Sequence, residues 1–289
     1  IIYNRLVTRQ IDFEEQKERD LIEILNEQFL SCNRKYTKFV ESKYVNWLSS
    51  NKRPILSPDI FKTKIKPLLQ NDEKVCFLVI DAMKLDHFIE LHSIMAEEFL
   101  IDIDSSISIL PTATPFARNA IFSGLFPDEF CKRYPKQLEA MRLDKGSLNN
   151  FEADFLKDQL TYYNLSEKSL HYYKIWYAEE GIKFLSKISE YLNNDLIAIV
   201  VNFVDQLAHK RSESDILKEM VPNETGYRRA VKVWYQNSWI RQTLSKLAEA
   251  GYKVIITSDH GSVTVNRSAI VAADKNSSTG IRYKYGRNI

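Results

Sequence analysis

Residues Val75–Ile80 read VCFLVI and are followed directly by Asp81. A short run of apolar residues without polar alternation is typical of a strand that is buried on both faces of a parallel sheet. Two later runs have the same character, LIAIVVNFV over residues 196–204 and YKVIIT over residues 252–257. Segments with helical spacing separate the three runs. This alternation predicts an α/β domain whose mainly parallel sheet is sandwiched by helices.

A separate helical segment precedes this domain. Apolar residues recur every three or four positions across residues 9–50, which is the spacing of one face of a helix. Pro54 lies in the stretch where this pattern stops. We therefore predict a helical segment over residues 1–60, as the end of a helical bundle or a linker, and the α/β domain over residues 70–289.

Two stretches of the α/β domain lie outside the clear strands. Alternation within residues 101–110 predicts a further strand. Residues 128–195 are rich in aromatic side chains, and we predict that they form an insertion packed over the sheet. The aromatic residues of this insertion include Tyr162, Tyr163, Tyr172, Tyr173 and Trp176. They suit core packing, which is the simpler interpretation, or stacking on a nucleic-acid base.

The overall composition argues against several classes of protein. Lys and Arg total 40 against 38 Asp and Glu, so the net charge of +2 does not by itself attract nucleic acid or a membrane surface. No apolar run approaches the roughly 20 residues that a membrane-spanning helix requires. The three cysteines are odd in number and far apart, which argues against a disulfide framework and favours a reducing compartment.

Acidic and imidazole side chains follow the three apolar runs. Asp81 ends the first run, Asp205 and His209 belong to the end of the second, and Asp259 and His260 follow the third. Because the carboxyl ends of parallel strands form the edge where α/β sheets bind ligands, these side chains are expected to converge. Three carboxylates and two imidazoles exceed the needs of one tetrahedral site. The set therefore predicts two neighbouring zinc or similar divalent ions.

Each of these residues also has a simpler structural interpretation. Asp81 suits the cap of the next helix. Asp205 and His209 are four positions apart and suit a surface pair on a helix. Asp259 and His260 suit a turn. The convergence of all of them at strand ends is the observation that favours a metal site.

A candidate nucleophile follows the predicted strand over residues 101–110. Thr114 and Pro115 stand where a helix begins, and a helix N-terminus attracts anions such as phosphate. Thr114 either caps this helix or attacks phosphorus as an activated hydroxyl. Arg118, one turn further on, is the candidate for holding the non-bridging phosphate oxygens, and Asn119 is a candidate neutral donor.

The order of these motifs along the chain resembles that of the alkaline phosphatase superfamily of metal-dependent phosphate-ester hydrolases. After the strand that ends in Asp come Pro-Thr-x-Thr at 111–114, Asp-x-x-x-His at 205–209 and Ser-Asp-His-Gly at 258–261. Within the superfamily, residues 79–83 (VIDAM) and 117–120 (ARNA) look most like the PglZ domain. The resemblance implies an alkaline phosphatase-like fold for the α/β domain.

The resemblance also implies the roles of individual residues. The ligands of one zinc ion would be Asp81, Thr114, Asp259 and His260. The second zinc ion would be held by Asp205, His209 and one further His. Thr114 would act as the nucleophile and form a covalent phospho-enzyme, and the substrates would be phosphodiesters in nucleotides or oligonucleotides.

Two departures from the family pattern concern this site. Phosphodiesterase-type relatives carry an Asn three positions after the nucleophile, where this sequence has Ala117, so Arg118 and Asn119 are the remaining candidates for stabilising the transition state. The last ligand of the superfamily is a His in a late His-Gly motif, and no His follows His260. We expect either that the chain is cut before this ligand or that the second metal site is incomplete. The other histidines are interpreted as surface or packing residues: His87, His92 and His171.

A helical segment followed by a PglZ-like domain resembles the PorX-like response regulators of type IX secretion. This resemblance implies a cytoplasmic homodimer that meets protein partners in two-component signalling, away from the membrane. Three functions stay open. The first is a zinc-dependent phosphodiesterase acting as the output domain, which the Thr114 element favours. The second is a catalytically weak or inactive PglZ module that serves as a regulatory binding domain. The third is a phosphomonoesterase or phosphomutase of the same superfamily.

Overall fold

The computed structural model describes residues 2–16, 19–143, 149–263 and 269–272, in which helices surround a sheet of four strands. The strands are β1 (Val75–Ile80), β2 (Leu170–Ile175), β3 (Leu196–Val201) and β4 (Lys253–Thr257). The helices up to β2 are α1 (Ile2–Gln16), α2 (Arg19–Ser49), α3 (Lys66–Gln70), α4 (Leu85–Met95), α5 (Thr114–Ser123), α6 (Pro127–Arg133), α7 (Pro135–Leu143) and α8 (Glu152–Tyr162). The later helices are α9 (Ala178–Ser186), α10 (Ile188–Tyr191), α11 (Phe203–Glu213), α12 (Asp215–Met220), α13 (Glu224–Asn237) and α14 (Trp239–Glu249).

The described sheet is parallel throughout, with the strand order β2–β3–β1–β4. Val75 of β1 pairs with Leu196 of β3 on one side and with Lys253 of β4 on the other. The three strands that the apolar runs predicted are therefore neighbours, and their carboxyl ends lie side by side. This arrangement confirms the predicted α/β class with a mainly parallel sheet.

Two elements differ from the sequence predictions. Leu170–Ile175 form β2 and pair with β3, so the prediction that residues 128–195 pack over the sheet is wrong for this segment. Residues 101–110 form no regular strand, and Ile107 makes only an isolated parallel bridge with Leu56. Ile107 and Ile109 of this stretch pack against residues of α2 and α5 instead of lying in a ladder of strands.

Both faces of the sheet are covered by helices. The even-numbered residues of β1 face α4, α9, α13 and α14, whereas its odd-numbered residues face α3, α5, α6 and α8. All six β1 side chains are buried, which is why the strand contains only apolar residues. The polar residues that follow β1, β3 and β4 therefore stand at the one edge of the sheet where such side chains are tolerated.

The two N-terminal helices contact each other and the domain that contains the sheet. Arg228 of α13 is only 2% exposed and pairs with Glu14 of α1 and with Asp86 of α4. On α2, Tyr44 accepts a hydrogen bond of 2.7 Å from the backbone N–H of Leu110. The predicted helical segment ahead of the sheet is thus confirmed. None of the described helices has both the length and the apolar character needed to cross a membrane.

Gly181 of α9 lies where a side chain has no room. A Cβ atom at this position would lie 2.0 Å from Cε2 of Trp239, which is itself 6% exposed and packed in the core. We expect Gly181→Ala to lower the free energy of unfolding by about 1–3 kcal/mol through overpacking, even though alanine favours a helix. Urea denaturation measures this change. Ser186→Ala, an exposed substitution on the same helix, is the control, and equal stability of the two variants would contradict the prediction.

Candidate functional site

Two neighbouring strands bring Asp81, Asp259 and His260 to one point. Asp81 follows β1 directly, and Asp259 lies two residues beyond β4. One potential ligand atom from each of the three residues lies within 4.8 Å of the others. Ala82, whose backbone is left-handed with a φ of 58°, donates its N–H to Asp259 Oδ1 at 3.3 Å. The edge of the sheet thus brings together three of the residues predicted to hold one metal ion.

The chemistry of this cluster suits a divalent cation. Asp81 and Asp259 are 3% and 0% exposed. Asp81 Oδ1 accepts no hydrogen bond among the described residues and has only a 3.4 Å contact with His260 Nε2, which is unfavourable for a buried carboxylate oxygen. Two carboxylates and an imidazole are a donor set that zinc accepts. In the ranges that the structure describes, no second group of three or more His, Cys, Asp or Glu has this geometry.

Thr114 lies beside the cluster and does not cap its own helix. The N-cap of α5 is Ala113, so the alternative interpretation of Thr114 as the cap is wrong. Thr114 occupies the first helical position, and its Oγ1 lies 2.7 Å from His260 Nε2. All four residues that the resemblance assigns to one zinc ion are therefore in contact with at least one other member of the set.

The ring of His260 is oriented by a backbone group. Its Nδ1 lies 3.0 Å from the carbonyl oxygen of Gly261. Because a carbonyl oxygen only accepts hydrogen bonds, Nδ1 carries a proton in this contact. Nε2 faces the Thr114 hydroxyl oxygen at 2.7 Å and Asp81 Oδ1 at 3.4 Å. It is also the ring atom that is available to a metal ion.

Arg118 lies between the two buried carboxylates. Its guanidinium pairs with Asp81, its Nε donates to Asp259 Oδ2 at 3.0 Å, and its Nη1 donates to Asn202 Oδ1 at 3.2 Å. The side chain is 1% exposed. This geometry favours the role of a counter-ion that keeps Asp81 and Asp259 together. The predicted contact between Arg118 and phosphate oxygens stays a prediction.

The charges of the cluster act strongly on one another. Burial, followed by repulsion from Asp259, raises the pKa of Asp81 to about 8, although Arg118 opposes the rise. Burial would also raise the pKa of Asp259, but Arg118 and His260 hold that pKa below its usual value. Asp259 is therefore ionised, and Asp81 is the carboxylate whose charge is less well compensated. A cation at this position would reduce the repulsion between them.

The two residues predicted for a second zinc ion stand beside the cluster. Asp205 and His209 lie on the first two turns of α11, with 3.6 Å between Oδ2 and Nε2, and the His209 side chain is 75% exposed. The charge of Asp205 reaches Asp81, whose pKa it raises. The second zinc site stays a prediction. His87 and His171 are packing residues, since the centres of their rings lie 4.5 and 3.9 Å from the centres of tyrosine rings.

Asn119 is bonded within its own helix and to a residue that no motif predicted. Its Nδ2 donates to the Pro115 carbonyl at 2.8 Å, and its Oδ1 accepts from Asn149 Nδ2 at 2.8 Å. The same Asn149 amide lies 3.3 Å from the Thr114 carbonyl oxygen. These bonds fix the start of α5. They favour a positioning role for Asn119, and its predicted role as a catalytic donor stays a prediction.

Two further polar residues that sequence reasoning missed support this arrangement. Lys174 of β2 donates to the Asn149 carbonyl at 2.7 Å and to Glu152 at 3.2 Å. Glu152 is 2% exposed, and its Oε1 lies 3.8 Å from Arg118 Nη1. Burial lowers the pKa of the Lys174 ammonium group, although Glu152 opposes the shift. The one signal in the sequence is Lys174 itself, a charged residue within the strand LHYYKI.

The family of the chain follows from a comparison with known protein families. The model of the BREX system PglZ alkaline phosphatase-like domain matches residues 60–286, which is most of the chain. The chain belongs to the PglZ family. The matched domain is alkaline phosphatase-like, which suggests that the chain is a phosphoesterase-type hydrolase. The order of the sequence motifs predicted the same class.

The region ahead of the PglZ domain gives a second match. Residues 1–48, which contain α1 and most of α2, are similar to the PorX response regulator linker domain. This similarity associates the PglZ chain with two-component signalling and confirms the predicted relationship to PorX-like proteins. A comparison with curated proteins finds no significant match.

Proposed function

We propose that this chain hydrolyses phosphodiester bonds of nucleotides or oligonucleotides with Thr114 as the nucleophile. The observation that carries the proposal is the 2.7 Å contact between Thr114 Oγ1 and His260 Nε2, beside Asp81 and Asp259. A hydroxyl, an imidazole and two carboxylates at the carboxyl edge of a parallel sheet suit metal-assisted phosphoryl transfer. The match to an alkaline phosphatase-like domain supports the same class of reaction.

Thr114 is oriented for attack on a phosphate group at the start of α5. It occupies the first helical position, where the helix dipole and the backbone N–H groups attract an anion. The 2.7 Å contact with His260 Nε2 fixes the position of its hydroxyl oxygen. The reaction forms a bond between Thr114 Oγ1 and phosphorus and releases the alcohol of the diester. Water then hydrolyses this phospho-enzyme.

Zinc is the ion that we propose for this reaction. Asp81, Asp259 and His260 would hold one ion, with Thr114 beside it, and Asp205 and His209 would contribute to a second site. When bound, zinc supplies a Lewis acid that stabilises negative charge on oxygen. Arg118 keeps the two carboxylates in place, and the Asn149 amide holds the backbone of Thr114.

We also propose that the PglZ domain is the output domain of a two-component response regulator. The similarity of residues 1–48 to a response regulator linker supports this. On α2, Tyr36, Phe39 and Val45 are 50%, 47% and 74% exposed, which favours a second copy of the chain or another protein as a partner of this helix. A cytoplasmic homodimer that acts in the control of type IX secretion completes the proposal.

A PglZ module that binds a nucleotide or a partner without turnover is the second candidate. The pairing of Arg118 with Asp81 and Asp259 favours it, because the guanidinium already compensates part of the charge that would attract a metal ion. The exposure of His209, a predicted ligand of the second zinc ion, also favours a module without turnover.

Hydrolysis of two chromogenic esters separates these functions. The protein is assayed with bis(para-nitrophenyl) phosphate and with para-nitrophenyl phosphate, in the presence of zinc and after chelation. We expect the diester to react faster, the activity to disappear on chelation and zinc to restore it. Faster hydrolysis of the monoester would favour a phosphomonoesterase or phosphomutase. Absence of hydrolysis of either ester with zinc would contradict the proposal and favour the binding module.

A further inference from the structure

A cavity of about 470 Å³ lies at the carboxyl ends of β2 and β3, the two strands next to β1 and β4 in the sheet order. Ile175 and Val201, the last residues of these strands, line it. Its aromatic lining includes Trp176, Tyr177, Phe203 and Trp234. This volume falls in the range of small-molecule sites. None of these residues has a role in the reaction proposed above.

Short contacts connect the cavity to the start of α5. Lys174 Nζ lies 5.3 Å from the centre of the Trp176 ring and donates to the Asn149 carbonyl at 2.7 Å. The Asn149 amide in turn lies 3.3 Å from the Thr114 carbonyl oxygen. Neighbouring strands are about 4.8 Å apart, so the β2–β3 pair and the β1–β4 pair are separated by roughly 10 Å. A ligand with its phosphate near Thr114 therefore has a second binding surface within short reach.

The aromatic side chains of the cavity suit a flat ligand. Phe203 and Trp234 stack with their ring centres 4.6 Å apart and their planes inclined by 9°. Trp176 and Tyr177 are 41% and 58% exposed, so their rings are accessible. Exposed aromatic rings beside a phosphate-type site are a stacking surface for nucleic-acid bases.

The polar side chains of the cavity suit a ligand with hydrogen-bonding edges. Asn237 and Gln242 line the same space, and one hydrogen of the Asn237 amide is already donated to the Val233 carbonyl at 2.9 Å. Asn and Gln amides match the adjacent donor and acceptor on the edge of adenine. Lys210 lies with its Nζ 5.9 Å from the centre of the Tyr177 ring and adds a positive charge for a sugar-phosphate backbone.

The loop that carries the exposed rings is held in place before any ligand binds. The backbone N–H groups of Trp176 and Tyr177 donate to Glu180 Oε2 at 2.6 and 3.2 Å. A preorganised loop reduces the entropy that is lost when a ligand is ordered on it.

We propose that this cavity binds a purine nucleobase of the substrate, stacked on Trp176 with its edge facing Asn237 and Gln242. The inference rests on the proposed function, because it assigns the position of a base close to the phosphate that Thr114 attacks. It narrows the proposed substrates from nucleotides in general to those that carry a purine base.

Tryptophan fluorescence tests this proposal without turnover. Three of the four tryptophans in the chain line the cavity. Adenosine monophosphate is titrated into chelator-treated protein, with ribose phosphate as the probe that lacks a base. We expect saturable quenching by adenosine monophosphate only. By calorimetry, Trp176→Leu should weaken binding about tenfold or more. Tyr162→Leu, at an aromatic residue that is 70% exposed and outside the cavity lining, should leave it unchanged.

The outcomes separate this proposal from the hydrolase mechanism. Absence of quenching, or equal affinity of the Trp176→Leu and Tyr162→Leu proteins, would overturn the nucleobase site. Gln242→Leu, at an exposed position, provides a second test if Trp176→Leu fails to fold, and unchanged affinity there would also overturn it. Binding of adenosine monophosphate by a protein that hydrolyses no diester would support the site and refute the Thr114 mechanism. Zinc-dependent hydrolysis of the diester without binding of adenosine monophosphate would support the hydrolase mechanism and refute the nucleobase site.

Discussion

Thr114→Val is expected to lower kcat for phosphodiester hydrolysis by at least about 10³-fold. Valine has nearly the shape of threonine but offers no oxygen to attack phosphorus. The substitution also removes the partner that lies 2.7 Å from His260 Nε2. Steady-state hydrolysis of bis(para-nitrophenyl) phosphate with added zinc measures the effect.

Two further variants distinguish loss of the nucleophile from loss of structure. Thr114→Ser keeps a hydroxyl and should retain a measurable part of the rate. Thr161→Val removes the hydroxyl of an exposed threonine on α8, whose Oγ1 donates to the Lys157 carbonyl at 3.0 Å, and should leave the rate unchanged. If Thr114→Val hydrolyses the diester as fast as the unsubstituted protein, Thr114 is not the nucleophile.

Arg118→Met is expected to lower the free energy of unfolding of the metal-free protein by about 3–5 kcal/mol. The substitution keeps much of the side-chain volume but leaves Asp81 and Asp259 buried without their counter-ion. Because a bound cation would replace the lost positive charge, zinc should raise the stability of Arg118→Met more than that of the unsubstituted protein. Urea denaturation with and without zinc measures both effects.

The control for this prediction is an arginine in a more exposed ion pair. Arg241 pairs with Glu98, and its side chain is 36% exposed. Arg241→Met should cause a much smaller loss, because exposed ion pairs contribute little to stability. Equal losses for the two variants would contradict the role of Arg118 as the counter-ion. An equal response of the Arg118→Met and unsubstituted proteins to zinc would show that the carboxylates do not accept a cation.

The three strands that the sequence predicted are continuous apolar runs, fully buried in β1 and β3 and mostly half-buried in β4. The runs that contain β1, β3 and β4 are apolar and stand out from their surroundings. The strand β2 lies inside the aromatic-rich stretch that is predicted to be an insertion. In the described part of the sheet it pairs only with β3, and a strand at the edge of a sheet tolerates polar residues such as His171 and Lys174. Residues 101–110 alternate in polarity without pairing in a ladder. Periodicity reports burial of side chains, and it cannot identify a hydrogen-bonded neighbour.

The sequence predicts those residues of the candidate site that directly follow a strand or begin a helix. Asp81, Asp259 and His260 follow apolar strands, and Thr114 stands at a helix start. Their proximity follows from parallel pairing of neighbouring strands. Sequence alone does not give the direction of a side chain on a helix, so the burial of Arg118 between two carboxylates could not be predicted.

Residues outside motifs could not be predicted as part of the site. Asn149, Glu152 and Lys174 reach the start of α5 and the Arg118 guanidinium only through tertiary packing. No spacing in the sequence relates them to Thr114. Their side chains satisfy one another's hydrogen bonds inside the protein, which is a property of the folded chain and not of any local pattern.

Counting zinc ions by native mass spectrometry tests whether the strand-end cluster is a metal site. We expect that the protein binds zinc, that His260→Ala loses the ion at the Asp81–Asp259 cluster, and that His209→Ala, at the exposed histidine of α11, retains it. A protein that binds no zinc, or a His260→Ala variant that binds as much zinc as the unsubstituted chain, would show that the strand-end cluster is not a metal site.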